Sequence, residues 1–107
     1  MTKTDQISFE MIARNGAARS LFIDAIKQAE TGDFQEAERL MKEGESMLME
    51  GHEIHGELIT SVARGEEILM DLLLVHAEDQ MMAAEMFKLL ARQFMAVHKR
   101  LHELEKS

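Results

Sequence analysis

An all-α protein, an antiparallel up-down-up bundle of three helices, is the fold that this sequence predicts, and three observations point to it. The chain has no proline, tyrosine or tryptophan, and its apolar residues are mainly Leu, Ile, Met and Ala, which favour helix over sheet. Apolar residues recur at three- and four-residue steps through three long segments, the period of an amphipathic helix. Only two glycine-bearing breaks, Thr31-Gly32-Asp33 and Ala63-Arg64-Gly65, divide them, so short turns should join neighbouring helices in opposite directions. At 107 residues the chain is expected to be one domain, residues 1–107, burying roughly 60–70% of its unfolded surface.

The first helix is expected from Thr4 or Asp5, either of which can cap the free amides of an opening turn, to about Glu30. Ile7, Met11, Ala18, Phe22, Ala25 and Ala29 form its apolar side. Gly16 interrupts it at a cost of about 1 kcal/mol relative to alanine, implying a close helix contact or a bend.

Gly32 can take the left-handed conformation that ends a helix, and Asp33 can cap the next, with Glu36 completing a capping-box-like pattern. The second helix should then run to about Val62. Its seam passes through Ala37, Leu40, Gly44, Met47, Gly51, Ile54 and Leu58, the spacing of bundle packing. Gly44 and Gly51 lie on that seam, where a missing side chain lets another helix approach. Gly56 is a third interior glycine, so packing must offset poor helix propensity.

After the second break, Glu66 and Glu67 suit the positive end of a third helix running almost to the C-terminus. About 40 residues would span roughly 60 Å. One stripe runs through Leu72, Val75, Asp79, Met82 and Met86, which predicts that Asp79 lies on the buried face with His76 on its flank. The stripe continues through Leu90, Phe94, Val97, Leu101 and Leu104, while Leu69, Leu73, Ala83, Ala84, Phe87 and Leu89 widen it. A lone chain would leave much of this exposed, so self-association through the third helix is expected.

Composition narrows the function. Twenty acidic residues against twelve basic ones give a formal charge of −8, which repels phosphate backbones and anionic lipid; no nucleic acid and no membrane insertion are expected. The absence of cysteine excludes a disulfide framework, a thiol nucleophile and a thiolate metal site. The first ten residues lack a signal-peptide pattern and no run approaches the roughly 20 apolar residues of a membrane span, so a soluble cytoplasmic protein is expected. The ten methionines read chiefly as packing.

Of the five histidines, His52 and His55 lack the spacing of the zinc-protease helix motif and read as partly exposed helix residues. His98 and His102 stand one turn apart, a possible chelating pair, but near a helix C-terminus that stabilises charged imidazole in any case. His76 differs because an acid adjoins it. A carboxylate on an apolar stripe must be protonated, paired or metal-bound. If copies of the third helix meet on an axis, converging Asp79 side chains could be relieved by a hard divalent cation. A neutral, accessible imidazole has a lone pair able to attack phosphorus, and Gln80 can donate hydrogen bonds to phosphoryl oxygens whereas Glu78 and Asp79, when ionised, cannot.

Three segments carry a resemblance to a family: Ile12 to Ser20, Ala29 to Phe34 with Thr31-Gly32-Asp33-Phe34, and Leu74-Val75-His76-Ala77-Glu78-Asp79-Gln80-Met81-Met82. In these the chain resembles the IIA component of the lactose and cellobiose (chitobiose) branch of the bacterial sugar phosphotransferase system, and nearly its whole length aligns in order. The resemblance implies a nine-helix homotrimer of three-helix subunits. It implies that His76 carries the phosphoryl group, and that Asp79 binds a metal, usually assigned as magnesium, on the threefold axis. It also implies HPr as phosphoryl donor, a cysteine of the IIB component as acceptor and the membrane IIC component as an indirect partner. The family's stretch commonly reads His-Ala-Gln-Asp-His, whereas here Glu78 replaces an amide and Gln80 a second histidine. A histidine-phosphotransfer domain of two-component signalling would have a lysine soon after the histidine, where Asp79, Gln80 and Met81 stand. A non-catalytic helical interaction module would give His76 no chemistry.

Overall fold

The computed structural model describes all residues from Met1 to Ser107. Three helices, α1 (Lys3–Glu30), α2 (Phe34–Ala63) and α3 (Leu72–Glu105), form a rod measuring 61 × 20 × 17 Å. Packing partners give the directions. Phe22 lies against Gly44 and Asn15 against Gly51, so α1 and α2 run antiparallel. Arg92 pairs with Glu38 and His55 with Glu78, so α2 and α3 do too.

Helix ends follow their local chemistry. Thr2, not Thr4 or Asp5, caps α1: its side chain accepts from the Asp5 amide at 3.0 Å, and the Asp5 carboxylate accepts from the Thr2 amide at 3.2 Å. Asp5 is thus the returning half of a capping box. Gly32 closes α1 at φ 91°, and Asp33 caps α2 through the Glu36 amide at 3.1 Å, both as expected.

The start of the third helix is a correction. Gly65 turns the chain at φ 84°, but Glu66 to Met70 form a non-helical connection. Helix resumes only where the Asp71 side chain accepts from the Leu74 amide at 2.9 Å. Acidic residues suit a helix N-terminus, yet a cap needs a short side chain reaching back to free amides, which Asp71 supplies and Glu66 and Glu67 do not. The helix is 34 residues long, not about 40.

α1 is the central element, packing extensively on both neighbours. All six residues expected on its apolar side are buried, and Phe22 is wholly so, a contribution of roughly 1.5–3 kcal/mol for such a side chain. Two glycines of α2 behave as the seam predicted: a Cβ at Gly44 would stand 2.5 Å from Phe22 Cε1, and one at Gly51 2.5 Å from Asn15 Oδ1. Gly16 does not, since a Cβ there would meet nothing within 4 Å and α1 continues through it. Asn15 and Ser8 are buried polar residues of α1 whose side chains have no hydrogen-bond partner.

Against this core α3 sets Leu74, Ala77, Met81, Ala84 and Ala91. Where α2 and α3 meet beside it, the seam is polar: His55–Glu78, His52–Glu85 and Arg92 with Glu38 and Glu45 form successive rungs. Glu78, Glu85 and Arg92 are seven residues apart, two helical turns, and so share one edge of α3.

Candidate functional site

The face of α3 that carries Asp79 is the opposite of the one predicted. Leu72, Val75, Asp79, Met82 and Met86 are all exposed in the chain, with Leu72 83% and Met82 65% accessible. The reason lies in side-chain size. α3 approaches α1 closely through Ala77, Ala84 and Ala91, and the larger Leu, Val and Met residues are left outside. Reading the bulkiest apolar stripe as the buried one therefore chose the wrong side. The outer face carries Leu89, Leu90, Phe94, Val97, Leu101 and Leu104 as well, all exposed. An apolar band thus follows α3 for most of its length, far more than a soluble chain ordinarily leaves bare.

His76 stands at the edge of this band, exposed as expected, in the second turn of α3. With Leu72 and Leu73 it lines an open pocket of about 400 Å³. Leu72, one turn earlier on the same side, forms its apolar wall. Three other histidines bond within the chain: His55 to Glu78, His52 to Glu85 and His102 to the Glu30 carbonyl. His76 makes no such bond, so its ring nitrogens face solvent and are free to meet a partner. The surrounding surface offers an apolar rim rather than a competing base.

Asp79, one turn on, lies between Val75 and Met82 on the outer face. No group of three or more His, Cys, Asp and Glu side chains within the chain could hold a metal. A lone carboxylate supplies few of the oxygen ligands that a hard divalent cation takes, and the rest would have to come from outside this group. The exposed apolar band on which Asp79 sits is a surface through which copies could bring them together.

Glu78 is turned away from His76. Two residues apart on a helix, the two side chains point to nearly opposite sides, and Glu78 Oε1 lies 2.8 Å from His55 Nε2 on α2. The negative charge of Glu78 is therefore directed at α2. Gln80, one turn beyond His76 and half-buried, is on the histidine's side. Sequence reasoning did not pair His55 with Glu78. The signal was present in two spacings, His52 and His55 three apart on α2 and Glu78 and Glu85 seven apart on α3, but only the bundle shows that these edges meet.

His102 sits under the α1–α2 turn, with Nε2 3.1 Å from the Glu30 carbonyl oxygen and its ring edge-on to Phe34 at 5.5 Å. With Nε2 protonated it donates to a carbonyl that the end of α1 leaves unpaired. No helix is long and apolar enough to cross a membrane.

Comparison with known proteins is consistent along nearly the whole chain. Residues 6–99 match the family model described as the lactose/cellobiose-specific IIA subunit of the phosphotransferase system. The cellobiose-specific EIIA component of Lactococcus lactis subsp. lactis is 40% identical over 95 residues, covering 89% of this chain and 82% of that protein. The crystal structure of the cellobiose-specific enzyme IIA of Bacillus anthracis superposes with a TM-score of 0.94 at 38% identity, over 96% of this chain and 94% of that one. A chain from the solution structures of the IIA(chitobiose)–HPr complex of Escherichia coli superposes with a TM-score of 0.75 at 27% identity, over 95% and 99%.

Proposed function

Because the chain belongs to the lactose/cellobiose-specific IIA family of the sugar phosphotransferase system, we propose that it is a cytoplasmic phosphoryl relay whose carrier is His76. The observation that carries this reading is the imidazole itself: exposed at an apolar pocket, without a hydrogen-bond partner in the chain, in the stretch that resembles the family's active-site stretch. Phosphorylated HPr is the donor, a role supported by the HPr complex of the chitobiose relative. A ring nitrogen of His76 forms a new P–N bond as the P–N bond in the donor breaks, and the donor histidine recovers its proton from solvent. In the second step the cysteine thiolate of the IIB component attacks phosphorus, an S–P bond forms, and His76 is released as neutral imidazole. The IIB component then serves sugar uptake through the membrane IIC component.

The chain's own groups assist by position. Leu72 and Leu73 supply an apolar rim on which a partner can seat. Gln80 can donate its amide hydrogens to phosphoryl oxygens. Glu78, bonded to His55, keeps its charge on the far side of the helix.

The working unit in this reading is a parallel trimer joined through the outer face of α3, which covers the exposed apolar band. Three Asp79 carboxylates then converge, flanked only by the apolar Val75 and Met82, and a divalent cation such as magnesium would offset their repulsion.

The test is transfer from phosphorylated HPr to wild type and to His76→Ala. Acid-labile, alkali-stable label on the wild type and none on the variant is expected. Equal labelling of the variant would refute His76 as carrier. Running the labelled protein against lactose-type and cellobiose-type IIB acceptors then assigns the branch.

A further inference from the structure

We propose that Asn15, seated in the notch at Gly51, partitions the core of the bundle, and that the half carrying His76 opens as a unit of its own while the other half stays folded. The inference depends neither on the relay chemistry nor on self-association.

The buried apolar residues fall into two clusters. Ile7, Met11, Leu58, Leu74, Ala77 and Met81 pack around the turn of α3 that carries His76. The second cluster, which includes Ala18, Leu48 and Ala84, fills the rest of the rod. The boundary crosses all three helices at one level. Asn15 separates Met11 from Ala18 on α1, Gly51 lies between Leu48 and Leu58 on α2, and the step from Met81 to Ala84 marks it on α3.

Asn15 is wholly buried, yet neither its Oδ1 nor its Nδ2 has a hydrogen-bond partner. A Cβ at Gly51 would stand 2.5 Å from Asn15 Oδ1 and 2.9 Å from its Cγ and Nδ2, so the carboxamide covers the glycine. Two turns away Gly44 receives Phe22 in the same way. There an apolar ring fills the notch and joins the cluster around it. At Gly51 the notch holds a polar group that neither cluster can pair. A buried donor and acceptor left unpaired oppose folding, and opening the surrounding half to water relieves them.

The half with His76 is also the weaker one. It buries six apolar residues against ten in the other, and it contains a second unpartnered buried atom, Ser8 Oγ. Its connection from Glu66 to Met70 is not helical. Across the α2–α3 seam it is held by His55 on Glu78, whereas in the other half Arg92 grips both Glu38 and Glu45. Sparse apolar burial is what sets a region apart as a unit that opens first. The turn with His76 can therefore change its setting without unfolding the rest of the bundle.

Native-state hydrogen exchange of the full-length chain over a range of low denaturant concentrations tests the partition. Amides near Met11, Leu58 and Ala77 are expected to share one opening free energy and one denaturant dependence, and to exchange roughly tenfold or more faster than those near Phe22, Leu48 and Ala91. The amides of α1 give the comparison on a helix that lies away from the outer face of α3. Asn15→Leu replaces the carboxamide with an apolar group of the same branching, and Asn15→Ala/Gly51→Ala replaces it with two facing methyls, a second route should leucine overfill the notch. A variant that joins the two clusters should slow exchange in the His76 half by roughly tenfold and leave the other half little changed. Amides that instead fray residue by residue from the helix ends, with no common opening, would overturn the separate unit. A common opening whose gap to the other half persists in both variants would overturn Asn15 as its cause.

Discussion

His55 Nε2 on α2 lies 2.8 Å from Glu78 Oε1 on α3, a partly buried pair that fastens the second turn of α3 beside His76. The Glu78 carboxylate thus faces an imidazole on another helix and not His76. Glu78→Gln is therefore expected to leave phosphoryl acceptance by His76 unchanged. In a double-mutant cycle with His55→Ala, urea unfolding should give a coupling of about 0.5–1 kcal/mol, in the range for partly exposed pairs. A large loss of acceptance in Glu78→Gln would place the carboxylate in the transfer step.

Two glycine-to-alanine substitutions should move stability in opposite directions. Gly44→Ala pushes a methyl to 2.5 Å from the buried Phe22 ring. Overpacking of about 1–3 kcal/mol outweighs the gain in helix propensity of about 1 kcal/mol, leaving a net loss. Gly16→Ala meets nothing within 4 Å and should stabilise by about 0.5–1 kcal/mol. Thermal unfolding of both variants measures the contrast.

Arg92 bridges to Glu38 and Glu45, with Nη2–Oε1 distances of 3.1 and 2.9 Å. The hydrogen bond from Arg92 holds the Glu38 carboxyl below its ordinary value of 4.5. A depressed carboxylate stabilises the fold above its unfolded pKa and loses that contribution as pH falls through the lower folded value. Arg92→Met should thus cost up to about 1 kcal/mol near neutrality, because the pair is part-exposed. The difference from wild type should shrink as pH drops below 4.5. A gap that widens on acidification would contradict the assignment.

Asp79→Leu replaces a carboxylate on the outer face with one more apolar residue. Loss of bound divalent cation, with self-association retained or strengthened, is the expected result. Metal analysis together with sedimentation decides it, and full metal stoichiometry in the variant would exclude Asp79 as a ligand.

Most residues of α1 and α2 were legible because each helix buries one stripe: Ile7 through Ala29, and Ala37 through Leu58 with Gly44 and Gly51 as notches, although Met41 and Leu48 are buried there where Met47 and Ile54 were expected. The turn at Gly32 and Asp33 was legible from its capping chemistry. α3 was harder because it has two apolar faces. Its alanine-lined side packs on α1, while its bulkier side, with Asp79, faces outward, and periodicity alone ranks the bulkier one first. The exposure of His76 was legible because it sits between the two faces. The connection Glu66–Met70 was hidden because glutamates suit both a helix start and a loop, and the His55–Glu78 pair because residues 23 apart meet only once the bundle forms.

The most direct measurement is the intact mass of the protein after incubation with phosphorylated HPr, followed by mapping of the modified residue. One phosphoryl group per chain, located on His76 and discharged on adding a IIB component, is the result the account predicts. A phosphoryl group on any other residue, or none on a folded chain with active donor, would contradict it.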